Sequence, residues 1–416
     1  MRQRFFEPFA LACGLNLLVA LSALFLMPVS TASLGQSWLK GFSELQGFAM
    51  QMVLMLLLGH VLAMSRGFQK PLQFLLKGLT HMRHPAVGLV FVSALLSWLH
   101  WGLGLVAGGL LAARLAERDE TARLRYAAAA YAGFIVWHGG WSGSAPLVVA
   151  TAGHPWEAVM GVIPVQNTLL SPLNLSLLVG VTLSAMVCVR FLPHTAPLPA
   201  EMPVEATPAP STEPAGWDYT LVLGVVLLLL SGLAFVNGWQ GFDLNALIVL
   251  LFALALCLHG HYTRFQEAVV SGISATAGIV IQFPLYGAIM AMMRDSGLAV
   301  WLAETLLAWT PPYLFLNGVF WAAGLLNLVV PSGGGQWAVQ APVIVPVAQQ
   351  LGASLPQTVI AFSWGDAWTN LIQPFWALPL LAMTGVNASQ LLPYTALLCA
   401  VTGVAASAIF LLFSLI

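Results

Sequence analysis

The fold class this sequence predicts is an all-α polytopic membrane protein made of two inverted repeats, and three observations predict it. Charged residues are 7% of the chain, against roughly 25% in an average soluble domain, and mean hydropathy is +0.87. The same succession of apolar segments and interruptions runs twice. Basic residues gather on one side of the membrane if the interrupted segments turn back on themselves. A net charge of -1 excludes a nucleic-acid surface and a strongly basic lipid-binding patch. Cys13, Cys188, Cys257 and Cys399 lie in apolar runs without metal-ligand spacing, so they read as packed side chains, and no metal or cofactor is expected.

The first repeat is assigned to residues 1–192, with a cytoplasmic N-terminus. "MRQRFFEP" and the apolar run from Phe9 to Met27 have the outline of a signal peptide, but the run is long and lacks a clear small-residue cleavage site, so it reads as the first membrane helix. A second helix is expected near 46–65 and a short connecting helix near 68–80. A Gly-interrupted hairpin follows near 85–113, an interrupted helix near 124–151 and a last helix near 160–190. Residues 193–217 form a cytoplasmic linker: Pro193 to Gly216 holds seven prolines and three glutamates, a composition that stays solvated. A connecting transmembrane helix takes 218–242. The second repeat, 243–416, is expected to place the same elements near 243–260, 268–293, 298–310, 312–350, 357–384 and 390–415.

Landmarks recur in order at nearly constant spacing. Asn16 matches Asn245, Gln51 matches Gln282 and Gly67 matches Gly297, at offsets of 229, 231 and 230. "HWGLG" from His100 matches "PSGGG" from Pro331, Trp141 matches Trp368 and Pro146 matches Pro374, at offsets of 231, 227 and 228. Six matches in one order argue for an internal duplication. Two full crossings need about 40 residues, more than the first hairpin segment offers, so it reads as re-entrant. With both hairpins returning, twelve of the fourteen Lys and Arg fall inside, leaving Lys40 and Arg294 outside. The extra helix then starts the second repeat on the opposite face, which inverts it.

Four interruptions fall at matching places: "HWGLG" (His100 to Gly104), "HGGWSGSAP" (His138 to Pro146), "PSGGGQ" (Pro331 to Gln336) and "WGDAWTNLIQP" (Trp364 to Pro374). Non-helical backbone at membrane depth is tolerated only where protein buries it or it lines a wet cavity. Half-helix N-termini suit a carboxylate and their carbonyl ends suit a small cation. The expected substrate contacts are Ser332, Gly333, Gly334, Gly335, Gln336, His100, Trp101, Gly102, Ser142, Ser144, Thr369 and Asn370. The hydroxyls and amides among them can equally cap half-helices. Asp366, His100 and His138 are the ion-coupling candidates, with proton or sodium as the coupling ion. For each, the alternative is a buried group satisfied by backbone. His60 reads as structural, and Gln51 and Gln282 as helix-to-helix hydrogen bonds. Trp101, Trp141, Trp337, Trp364 and Trp368 crowd the breaks, where they either wall an acyl pocket or simply pack.

"VPSGGGQWAVQAP", "QPFWALP", "ATAGIVIQFPLYGAI" and "WSGSAPLVVATAGH" resemble the short-chain fatty acid transporter family, the acetoacetate and butyrate carriers within the ion transporter superfamily. The likeness covers nearly the whole chain apart from the linker. It implies uptake of short monocarboxylates across the cell inner membrane by an elevator-type carrier, in which hairpin-bearing domains move against a scaffold. Three positions depart from the family pattern: His100 stands where Asn usually precedes Trp-Gly, His138 replaces a small residue, and Asp366 replaces Glu.

The leading expectation is therefore a secondary carrier of acetate, butyrate or acetoacetate-like anions, driven by cation symport. Its partners are the small monocarboxylate and the lipid bilayer; a homo-oligomer is left open. No P-loop is present, so ATP drive is not expected. An intramembrane serine hydrolase is the rival from another class, since "GWSG" at Gly140 to Gly143 fits a G-x-S-G motif; it needs a base within reach of the serine. A channel is disfavoured, because duplicated hairpins suit alternating access.

Overall fold

The computed structural model describes residues 8–44, 46–152, 154, 156–194, 218–237, 244–308, 310–331 and 333–415. The expected linker lies almost wholly outside the described residues, as do Ser332 and the end of the expected connecting helix. Every regular element among the described residues is helical. The first half runs α1 (Pro8–Leu26), α2 (Thr31–Glu44), α3 (Gln46–Met64), α4 (Arg66–His81), α5 (Pro85–Leu99), α6 (Trp101–Ala116), α7 (Arg123–Phe134), α8 (Ser144–Val149), α9 (Glu157–Met160) and α10 (Pro172–Phe191). After α11 (Tyr219–Val236) come α12 (Leu244–His259), α13 (Tyr262–Gly272), α14 (Ala277–Asp295) and α15 (Leu298–Ala308). The chain ends with α16 (Phe315–Asn327), α17 (Gly333–Gln350), α18 (Leu355–Trp368), α19 (Pro374–Thr384) and α20 (Ala388–Leu415). By length and composition α10, α11 and α20 are each able to cross a membrane.

Local chemistry sets the boundaries. Prolines pre-set for a first turn open α5, α10, α18 and α19. Ser171 and Ser354 cap α10 and α18 by accepting the amides of Asn174 and Gln357. At 15 residues, α5 is about 22 Å long, short of the roughly 30 Å hydrocarbon core. The chain then doubles back: Gly104 of α6 lies on Ser97 and Gly108 on Ser93, an antiparallel register in which the glycines let the backbones meet.

The helices sort into two groups. One is α1, α2, α3, α12, α13 and α14, with α11 packed on α12. The other gathers α5, α6, α7, α8 and α10 with α16 to α20. Helices α4 and α15 run between them, α4 touching α3 and α5, and α15 touching α14 and α16. His60 bonds Ser271 at 3.0 Å, Gln51 bonds Asn245 at 2.7 Å, and the His259 ring meets the Val61 carbonyl at 2.9 Å, so these polar groups do tie helices together. On Gln282, Oε1 has no hydrogen-bond partner.

Three expectations need correction. Residues 31–44 form a helix that the apolar pattern does not announce, because α2 mixes exposed Ser33, Gln36, Lys40 and Ser43 with buried Leu34, Ser37 and Gly41. The segment expected near 268–293 is two helices, α13 and α14, joined by a 3-10 turn at Ile273–Thr276. The last helix of the first half begins at Pro172, since residues 161–171, which contain Pro164, run outside any helix.

Backbone contact between α16 and α18 yields a test. A Cβ on Gly365 would meet the Phe320 carbonyl and lie 2.9 Å from the Ala323 Cβ, whereas one on Gly232 of α11 would meet nothing within 4 Å. Gly365→Leu is expected to destabilise the protein by about 3 kcal/mol, and Gly232→Ala to leave it unchanged or slightly more stable. Thermal unfolding followed by tryptophan fluorescence in detergent compares the two; equal midpoints would contradict the packing.

Candidate functional site

The site is built where helices stop. Helix α5 ends at His100, whose extended backbone (φ -160°, ψ 127°) turns the chain, and the His100 ring then caps α6 by accepting the Gly102 amide at 3.1 Å. Helix α7 tightens into a 3-10 turn at Ile135–Gly139, breaks at extended Gly140 and restarts at Ser144. In the second half α18 passes into a 3-10 turn at Thr369–Leu371 and restarts at Pro374, where the Gln373 side chain accepts the Phe375 amide at 2.9 Å. Gly333, Gly334 and Gly335 open α17.

Both hairpin tips close on the first break. Trp141 donates its amide to the Trp98 carbonyl at 2.8 Å, and Trp101 donates its own to Ser142 Oγ at 2.9 Å. From the other half, a Cβ on Gly333 would lie 2.6 Å from the His138 ring and 3.1 Å from Trp137, and one on Gly334 3.9 Å from Ser144. Glycine is thus what lets the second tip reach His138.

At the centre His138 meets Asp366, Nδ1 to Oδ2, at 2.7 Å, with both side chains shut off from solvent. His138 Nε2 accepts the Ala145 amide at 3.2 Å. A backbone amide can only donate, so Nε2 is unprotonated and the single ring proton sits on Nδ1, pointing at the carboxylate. The other carboxylate oxygen, Asp366 Oδ1, is buried without a hydrogen-bond partner.

Beside the pair lies an amide network that the sequence reading only half captured. Asn327 donates to Thr369 Oγ1 at 3.0 Å and to Asn370 Oδ1 at 2.9 Å, while Thr369 donates to the Gly324 carbonyl at 2.7 Å. Thr369 is thereby committed to holding the break onto α16. Asn370 Nδ2 and Gln373 Nε2 are buried donors without partners, and Tyr131 of α7 donates to the Asn370 carbonyl at 2.7 Å. Gln336 donates to the Ala323 carbonyl and to Gln340, so its amide nitrogen ties the second hairpin together.

Among the tryptophans, Trp364 donates to Asn174 and Trp368 to the Cys399 carbonyl, each as a fixed strut. Trp141 is half exposed against Trp98. Asn174 also holds the Gly139 and Leu169 carbonyls at 2.8 and 2.7 Å. Residues given no role by the sequence reading are Trp137, Trp376, Asn327 and Gln373, which stand within or close to a break, and Asn174, which lies on α10 where no break marks it. Neither His138 nitrogen is free to serve Ser142 or Ser144 as a base.

Comparisons with known proteins identify the family. A family model described as "Short chain fatty acid transporter" matches residues 2–201 and 209–413. A protein of Escherichia coli (strain K12) named "Putative short-chain fatty acid transporter" is 33% identical over 414 residues, covering 94% of this chain and 93% of its own. One of the same name from Haemophilus influenzae is 31% identical over 420 residues, covering 93% and 92%. Among solved structures the Alcanivorax borkumensis YdaH transporter is similar with a TM-score of 0.44 and 17% identity, over 97% of this chain and 98% of that one, a likeness too loose to support an inference. The chain, a transporter by family and not an enzyme, belongs to the short-chain fatty acid transporter family.

Proposed function

We propose that the protein is a secondary active transporter of the cell inner membrane that takes up short-chain fatty acids or 3-oxo acids by cation symport with alternating access. The observation that carries this reading is the first break. Both hairpin tips close on it, and it holds a buried His138–Asp366 pair from opposite halves of the chain. Unpartnered donors on Asn370 and Gln373 beside it suit a carboxylate.

Inverted repeats are supported by the way the halves pack on each other. Helix α1 of the first half packs on α14 of the second, and α12 of the second on α3 of the first. His138 and Asp366 are 228 residues apart, the spacing that relates Pro146 to Pro374. A two-fold axis brings equivalent positions into mutual contact, as at the centre of a symmetric dimer.

The topology draws support from the charges. Lys40 and Arg294, the two cations assigned outside, both meet Glu44, at 3.8 Å and 3.0 Å, so neither adds much positive charge there. Arg123 bonds the Thr384 carbonyl and Tyr394 the Pro193 carbonyl, contacts between residues that the reading assigns to the cytoplasmic face. The division into two helix groups joined by α4 and α15 suits an elevator, with the hairpin group moving against the other.

Carrying one anion inward against 100 mV costs about 2.3 kcal/mol, so one cation makes the step neutral and two make it favourable. The proton is the preferred ion. The unpartnered Asp366 Oδ1 supports that preference, and His138, its Nε2 taken up by the Ala145 amide, is read as the group that orients the carboxylate.

Three outcomes are expected. Ser332→Ala combined with Asn370→Ala should weaken carboxylate binding at least roughly 100-fold with expression intact; unchanged transport would remove this site. A cysteine introduced between residues 114 and 125 should be labelled by an impermeant reagent only from the cytoplasm, and external labelling would undo the inversion. In proteoliposomes without sodium, a pH gradient should drive accumulation by the wild type and fail with Asp366→Asn. Accumulation driven only by sodium would overturn proton coupling, and wild-type behaviour of Asp366→Asn under both gradients would make the residue structural.

A further inference from the structure

Three indoles from three interrupted segments meet beside the His138–Asp366 pair. Trp101 is the first residue of α6, at the tip of the first hairpin. Trp137 lies in the 3-10 turn of the first break, and Trp376 is the third residue of α19, just past the second break. Ring centroids are 5.2 Å apart for Trp101 and Trp376 and 5.9 Å for Trp137 and Trp376. Trp137 stacks on the His138 ring at 4.4 Å and faces Gly333 of the second hairpin. All three indoles are more than nine-tenths buried. All four interruptions therefore contribute to the surroundings of this one cluster.

An ordinary core would fill such a space with Leu, Ile or Phe, which bring no polar atom. Here Trp137 Nε1 is buried with no hydrogen-bond partner, an arrangement that is unfavourable in an apolar interior unless something accepts the N–H. An indole offers two things to a short fatty acid: an N–H and a positive ring edge for the carboxylate, and flat faces for methylenes.

We infer that Trp101, Trp137 and Trp376 are the substrate-binding and chain-length-determining residues, with Trp137 Nε1 donating to the carboxylate and Trp376 against Trp101 closing the space available to the acyl chain. This rests on the transport reading above and adds to it a head-and-tail assignment. The acid enters when the hairpin tip bearing Trp101 withdraws. A longer chain would have to displace Trp376 into Phe375, which stacks on Phe283 at 4.1 Å.

The test is binding of straight-chain monocarboxylates from acetate to octanoate by the purified full-length protein, read by calorimetry, for the wild type, Trp137→Phe and Trp376→Ala. In Trp376→Ala the hexanoate-to-acetate affinity ratio should rise roughly tenfold or more. Trp137→Phe keeps the ring and removes the N–H, so acetate, propionate and butyrate should all weaken by roughly tenfold or more, with their ranking unchanged. A monodisperse Trp376→Ala protein with the wild-type ratio would overturn the tail assignment, and Trp137→Phe binding like wild type would overturn the head assignment. Should Trp376→Ala fail to fold, Trp101→Phe is expected to shift the ratio in the same direction, and no shift there would equally sink the cage. Wild-type protein that binds none of these acids would defeat the transport reading itself, and this inference with it.

Discussion

An amide that leaves a helix inside hydrocarbon must find another partner within the protein, because no water is there to accept it. Nearly everything at the centre of this molecule follows from that requirement. The Trp141 amide is accepted by Trp98, that of Trp101 by Ser142, that of Ala145 by His138 and that of Phe375 by Gln373. Each of these bonds joins a break to itself or to a neighbouring tip. The interruptions are therefore mutually dependent: the first hairpin tip completes the first break, and Asn327 of the second hairpin completes the second. Stability and site geometry are set by the same bonds.

Close approach comes next. Polar struts reach across only if backbones come near enough, and glycines at Gly108, Gly333 and Gly365 provide that room. The struts then hold rings in place. Asn174 holds Trp364 and the Gly139 carbonyl together, so the two broken helices share one anchor on α10. Such a centre is tied at several points, and a tip that withdraws leaves specific amides and carbonyls to be satisfied by something else.

Much of this was legible in the chain, and the part that was not has a physical reason. Breaks announce themselves because Gly, Pro and Ser are costly inside apolar helices, and the segments flanking them follow from length alone. Helix α2 did not, since a short amphipathic helix has neither the apolar run of a span nor the charge of a loop. Asp366 and His138 were legible as ionisable groups at membrane depth, but their pairing is a property of the fold. Under the proposed repeat the two stand at matching positions. Trp137 and Trp376 were hidden by their surroundings: a tryptophan in an apolar run reads as packing until its neighbours from other segments are known. Thr369 shows the converse, a hydroxyl at a break that turned out to be spent on a carbonyl.

The His138–Asp366 contact has an implication for ancestry, if the two halves descend from one unit. A pair of identical half-length chains related by a two-fold axis would have set like against like at this point. Two carboxylates at hydrogen-bond distance cannot both ionise, and two imidazolium rings would repel. Fusing the halves into one polypeptide removes that obligation: one copy becomes the acid while the other becomes its fixed donor. The chemical difference between these two residues is something a strictly symmetric assembly has no means to express.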